Sequence, residues 1–345
     1  MNEDQRSDLE VKIQAKGKEN REGKNRRMKR LKRVFCWDIS TAMTMNSPFE
    51  PLLLPQKKDE MPQIDIQEYR TATAMLAEWA EWLEQNAANN NLLLGFLYRL
   101  QRREAAGGEV VALMVGISEV GQRKLALFQT APRELILVCA PTDCEAALAA
   151  GVEWMRLHHP NLPGIVGPEP QVSAFADAYF PGWKRVFRQN TLQLDRLVQP
   201  KPCKGEMRLS EPRDADLIRD WLIDFFLDSL RQTLRIEEAT QLARAKILEK
   251  QFWVWEVEGE VVSMAGVERP TRHGITVVLV YTPPQARGKG FASNLVAQIS
   301  QLQLQNGKRF CCLHTDADNP TSNKIYKELG YYEVGEGSML RFEFE

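Results

Sequence analysis

The stretch richest in chemistry is Val278-Leu279-Val280-Tyr281-Thr282-Pro283-Pro284-Gln285-Ala286-Arg287-Gly288-Lys289-Gly290-Phe291-Ala292. An apolar strand runs into a turn whose glycines let the main chain fold closely round an anion, and an amphipathic helix follows at once. Such a helix start carries about four unpaired N–H groups and roughly half an elementary positive charge. Phosphate suits that arrangement, and Arg287 and Lys289 add cationic charge beside it. The run fits neither G-x-x-x-x-G-K-[ST] nor G-x-G-x-x-G, because Ser293 stands where the third glycine belongs. P-loop nucleotide and dinucleotide sites are thereby disfavoured. A tight strand-to-helix turn without a ligand is the plain alternative.

A second informative stretch is Asp318-Asn319-Pro320-Thr321-Ser322-Asn323-Lys324-Ile325-Tyr326-Lys327-Glu328-Leu329-Gly330-Tyr331. Asn319 is a good N-cap, Pro320 suits the first helical position, and Gly330 suits the helix end. Asn323 and Tyr326 are three apart and share one helix face.

Together these stretches resemble the GCN5-related N-acetyltransferase (GNAT) superfamily. Its pattern [QR]-x-x-G-x-[GA], after a strand and opening a helix, is met by Arg287, Gly290 and Ala292. The resemblance covers about residues 206–345 and is best over 275–334; Tyr331 stands where Phe is commoner. It implies acetyl-CoA as co-substrate, with its pyrophosphate on the main chain of Arg287, Gly288, Lys289, Gly290, Phe291 and Ala292. The pantetheine arm would run along Val280, Tyr281 and Thr282, with Asn319 and Asn323 as further cofactor contacts. Tyr326 would protonate the departing CoA thiolate, since ordinary pKa values of about 10 for phenol and about 8.5 for thiol are commensurate. The amine needs a base. Glu268, at the end of a neighbouring strand, is the first candidate, and Asp316, His273 and His314 are the fallbacks.

The implied reaction is transfer of an acetyl group to a primary amine by direct attack in a ternary complex. Two alternatives stay open at this point: a longer acyl donor, and a non-catalytic acyl-CoA-binding sensor or interaction module on the same fold. No G-x-S-x-G or Cys/His signature argues for a covalent intermediate. No H-E-x-x-H or ligand-spaced acidic cluster implies a metal.

Other segments must position this chemistry. Met75, Leu76, Trp79, Trp82 and Leu83 recur at helical spacing, and the pattern breaks at Asn89-Asn90-Asn91 before resuming over Leu92–Leu100. Strands are expected over 110–118, 125–130 and 134–140, a helix from Thr142 to about His158, a strand at Ile165-Val166, a helix over 172–179 and a strand over 185–194. Residues 198–205, with two prolines and a glycine, read as a linker. The second half then reads as strand 206–209, helices 214–226 and 236–250, strands 252–258, 261–268 and 275–281, helix 290–306, strand 309–315, helix 320–329 and closing strands.

The expected fold class is therefore α/β (α+β): a GNAT domain over 206–345, its central mixed, mostly antiparallel sheet flanked by helices, preceded by a smaller α/β domain over 61–197. The first half's element order is compatible with a degenerate acetyltransferase-like fold that walls the acceptor pocket or supports assembly, and a homodimer fits either role. Residues 1–60 have the composition of a solvated tail, and the basic cluster at 26–33 could serve as a nucleic-acid contact or targeting signal. The tail could equally lie upstream of a start at Met28, Met43 or Met45.

Composition narrows the function classes. The 345 residues are 43% hydrophobic and 26% charged, with a net charge of −1. That balance argues against a dedicated nucleic-acid binder. No apolar run reaches the roughly 20 residues of a membrane span, and the first residues lack the apolar core of a signal peptide. Six cysteines without metal-ligand spacing suit reduced, buried thiols, and a cytoplasmic protein is expected.

Overall fold

Apolar residues at helical and alternating spacing fold into two successive runs of elements that share one order. The computed structural model describes residues 63–344. The tail over 1–60, its basic cluster and Cys36 lie outside the described residues. The first run is β1 (Ile64–Glu68), α1 (Ala72–Glu84), α2 (Asn91–Ala105), β2 (Leu113–Glu119), β3 (Gln122–Gln129), β4 (Leu135–Cys139), α3 (Glu145–His158), β5 (Gly164–Pro168), α4 (Gln171–Tyr179) and β6 (Trp183–Leu194). The second repeats it: β7 (Glu206–Leu209), α5 (Ala215–Leu230), α6 (Ile236–Leu248), β8 (Phe252–Val257), β9 (Glu260–Glu268), β10 (Gly274–Tyr281), α7 (Phe291–Gln305), β11 (Phe310–Asp316), α8 (Pro320–Glu328) and β12 (Tyr332–Phe342).

Local chemistry explains the boundaries that matter. Thr71 caps α1 by accepting from Ala74 N at 3.1 Å, and the helix buries Met75, Leu76, Trp79 and Leu83 as one stripe. Gly290, at φ +83°, turns the chain into α7. Asn319 accepts from Ser322 N at 3.1 Å, and Pro320 opens α8.

Among the described residues, all strands join one twelve-stranded sheet in the order β1-β2-β3-β4-β5-β12-β6-β11-β10-β9-β8-β7. Only β4–β5 and β10–β11 are parallel; the other neighbours are antiparallel. The two runs exchange their last strands. Strand β12 pairs with β5 of the first half, β6 pairs with β11 of the second, and β6 and β12 form the central seam. The stretch over 198–205 has no regular structure, yet the sheet is continuous across it and the described residues, 63–344, group as one compact unit.

Helices cover both faces. One face carries the cores beneath α3 and α4 and beneath α7 and α8; the other carries those beneath α1 and α2 and beneath α5 and α6. This agrees with the expected mixed sheet flanked by helices. Strand β1 was not anticipated, because a five-residue edge strand whose side chains are all exposed or half-buried leaves little pattern. The Asn89-Asn90-Asn91 run is a docking corner: Asn89 Nδ2 donates to Val334 O at 3.0 Å, and Asn91 reaches His314 and Thr276 in the second half. No helix among the described residues is long and apolar enough to cross a membrane.

Candidate active site

The site begins where β10 leaves its neighbours. Its ladder to β11 ends at Thr276–Cys312, and its register to β9 shifts between Val278 and Tyr281. Leu279 sits in that irregularity at φ +55°, a left-handed conformation uncommon for a branched side chain. The end of the strand is pinned from the β9 side: Ser263 Oγ donates to Tyr281 O at 3.0 Å and pairs with Thr282 Oγ1 at 2.8 Å. The other edge of β10 faces a groove of about 840 Å³ that opens between β10 and β11.

The turn after β10 forms the mouth of this groove. Gly288 lies at φ +77° with open space where a side chain would stand, and Gly290 lies at φ +83°. Among the described residues, the main-chain N–H groups of 288–293 have no protein acceptor. A row of unpaired amides at a helix start, next to empty space, fits a phosphate group. Asn294 holds the turn in place, donating to Gly290 O and to Lys201 O at 3.0 Å each.

Most residues expected from the sequence meet here. Val280, Tyr281, Thr282, Arg287, Gly288, Gly290, Phe291, Ala292, Asn319 and Tyr326 all line the groove. Arg287 folds back on the strand: its Nε donates to Thr282 O at 2.9 Å, Nη2 lies 3.5 Å from Asp228, and the guanidinium stacks on the Tyr281 ring. The Tyr281 hydroxyl donates to Asp224 at 3.2 Å; burial, then Asp224, push its pKa up to about 12. Tyr326 packs edge-on against Tyr331, and burial pushes its phenol up to about 12.

Three expected residues stand apart. Lys289 is exposed and outside the groove lining. Asn323 donates to Asp316 O at 3.1 Å and Ala317 O at 3.3 Å, so its amide holds the β11–α8 turn. Glu268 pairs with Thr276 near the start of β10, away from the groove lining, with Lys246 Nζ 2.6 Å from its carboxylate. Burial raises the Glu268 pKa, but Lys246 and then Arg269 outweigh it and hold the carboxyl below its ordinary value. A carboxylate so engaged is a poor proton acceptor.

Of the fallback bases, Asp316 and His314 line the groove and His273 lies in the β9–β10 turn. His314 has both ring nitrogens engaged. Asn91 Nδ2 donates to Nε2 at 2.9 Å, which leaves Nδ1–H to donate to Thr191 Oγ1 at 3.2 Å. Burial, then the charge of Arg269, lower its pKa to about 3, so the ring is neutral. Among the described residues, no three His, Cys, Asp or Glu side chains cluster as metal ligands would.

Sequence reasoning did not find Phe187 and Gln189 of β6, or Phe225, Asp228 and Ser229 of α5, all of which line the groove. The register of β6 against β11 brings the first pair in, and no local pattern announces a pairing between such distant segments.

Residues 215–331 match the family model described as acetyltransferase (GNAT) family. Those residues form a GNAT domain. It contains the glycine turn, β10, β11 and α8, but not β6. Solved structures with the same fold include a GCN5-related N-acetyltransferase from Sphaerobacter thermophilus (TM-score 0.54, 16% identity, 81% of this chain and 95% of that chain covered). An acetyltransferase from the GNAT family of Colwellia psychrerythraea gives a TM-score of 0.50 at 11% identity, covering 81% and 100%. A Drosophila protein gives 0.57 at 12% identity, covering 81% and 98%. Each likeness extends well beyond the GNAT domain and into the first half. Comparison with curated proteins finds no significant match.

Proposed function

We propose that the chain is an acetyl-CoA-dependent N-acetyltransferase that acts on a primary amine by direct attack. The observation that carries this is the row of unpartnered amides over 288–293, at the mouth of a groove leading between the parted strands β10 and β11. The amides of the turn would take the diphosphate, and the free edge of β10 over Val280–Thr282 would pair with the pantetheine arm and polarise the thioester oxygen. Transfer forms a C–N bond to the amine and breaks the C–S bond of the thioester.

Tyr326, which lines the groove, would meet the sulfur. With its pKa at about 12, full proton transfer to a thiolate of ordinary pKa is uphill by roughly 5 kcal/mol. The phenol therefore acts as a hydrogen-bond donor to the sulfur as negative charge grows there, and solvent completes the protonation. The amine sheds its proton to groove water or to Asp316, whose Oδ1 accepts from Asp318 N at 2.9 Å; His314 has both ring nitrogens engaged and Glu268 is paired with Lys246 outside the groove.

Incubation with acetyl-CoA and pools of amines, with detection of acetylated product by mass and of free CoA thiol, tests this reading. One thiol per acetylated amine is expected. Tight acetyl-CoA binding with no thiol release above hydrolysis, for every amine, would make the protein a sensor instead.

A further inference from the structure

The groove passes through the sheet, so its two ends lie on opposite faces. Side chains alternate along β11: Leu313 points to the core shared with α7 and α8, where Ile325 and Tyr326 pack, while His314 and Asp316 point to the other face. Register places Thr191 of β6 opposite His314 and Gln189 opposite Asp316, and Phe187, two residues further along, shares their face. Helix α5 closes that side with Phe225, Asp228 and Ser229.

We propose that this second face is the acceptor chamber, and that it takes an amine with one cationic nitrogen and an aromatic body. The inference rests on the reading above, in which the turn end of the same groove holds acetyl-CoA. Two half-buried rings, Phe187 and Phe225, come from different halves of the chain and offer a slot for a flat apolar group. Two carboxylates, Asp228 and Asp316, stand against one guanidinium, Arg287, which neighbours Asp228; the lining is left net negative, which selects an ammonium group on entry. Among the described residues, the only cation lining the groove is Arg287, which is already shared among Asp228, Thr282 O and the Tyr281 ring. Arg269, whose charge reaches His314, is absent from the groove lining; it lies against Gly95 of α2 and beside Glu268. An amine that also carries a carboxylate would meet Asp228 and Asp316 with like charge and is disfavoured. His314, held by Asn91 and Thr191, is a neutral wall of this chamber. Because β6 supplies Phe187 and Gln189, residues 215–331 alone lack one side of it.

The test uses the full chain, with 2-phenylethylamine, spermidine and glutamate as acceptors. Initial rates come from thiol release, and amine binding comes from calorimetry on the protein with and without saturating CoA. The expected kcat/KM for 2-phenylethylamine exceeds that for glutamate by about a hundredfold and that for spermidine by about tenfold. Phe187→Ala is expected to raise the KM for 2-phenylethylamine about tenfold and to leave the KM for acetyl-CoA within about twofold. Asp316→Asn should weaken binding of the same amine, and Phe187→Leu, which keeps the wall filled, should show a smaller loss. Glutamate used as well as 2-phenylethylamine, or an unchanged amine KM in Phe187→Ala, overturns the proposal. Failure of the donor reading looks different: acetyl-CoA does not bind, while calorimetry with the amine still reports on the chamber.

Discussion

Strand β4 of the first half is followed by Ala140-Pro141-Thr142-Asp143-Cys144, and strand β10 of the second half by Thr282-Pro283-Pro284-Gln285-Ala286-Arg287-Gly288-Lys289-Gly290. The two connections hold equivalent places in the shared element order, each joining a strand to the helix behind it. In the first half the ladder of β4 to β3 runs without a shift, and the left-handed residue of the turn is Asp143, an acid where an anion would have to sit. Cys139 and Cys144 flank that turn, and burial pushes both thiol pKa values up, which keeps them protonated and inert. In the second half the ladder to β9 is interrupted, the left-handed positions are glycines, and the amides are free. One scaffold thus occurs twice, with an anion cradle at one of its two copies. The copy without the cradle still matters: it lends β6 to the sheet and Asn89–Asn91 to the seam.

This comparison can be broken most sharply at Gly290. Gly290→Val puts a β-branched residue at φ +83°, and acetyl-CoA affinity by calorimetry should fall at least about a hundredfold. Asp143→Gly in the other turn should leave that affinity within about twofold. Tyr326→Phe should lower kcat by about tenfold to a hundredfold while the KM for acetyl-CoA moves little, read from steady-state rates.

Smaller effects sharpen the role of the seam. Asn91→Ala leaves His314 Nε2 without its partner and the Thr276 hydroxyl with Cys312 Sγ alone, and chemical denaturation should show a loss of about 2–3 kcal/mol. His314 also predicts a pH dependence. Its pKa is about 3 in the folded chain and 6.5 otherwise, so the unfolded state binds the extra proton between those values. Stability should therefore fall as pH drops from 6.5 toward 3, by up to about 1.4 kcal/mol per pH unit from this residue. The smallest change in turnover is expected for Glu268→Gln, within about twofold, because Glu268 serves Lys246 and not the groove. Its stability should drop measurably, since Lys246 is then left with Glu249 alone.

The glycine turn, the strand before it and the capped helix of Tyr326 were legible in the sequence because each is a local signal: glycine spacing, an apolar run, Asn-Pro at a helix start. The helices of the first half were legible for the same reason, from stripes such as Met75, Leu76, Trp79 and Leu83. What local pattern does not carry is partnership between distant segments. Nothing around Phe187 or Gln189 says that β6 will lie beside β11, and nothing around the Asn89–Asn91 run says that an apparent interruption of a helix will grip His314. Glu268 illustrates the reverse case. Its place at a strand end suggested a base, and only the position of Lys246 on α6 shows that the carboxylate is already paired.

Backbone hydrogen exchange with and without coenzyme A tests the central claim most directly. Slower exchange is predicted for the amides of residues 288–293, with no change over 139–148 in the matching turn of the first half. Protection at the first-half turn, or bound coenzyme A with unchanged exchange over 288–293, would contradict the assignment of the diphosphate to that cradle.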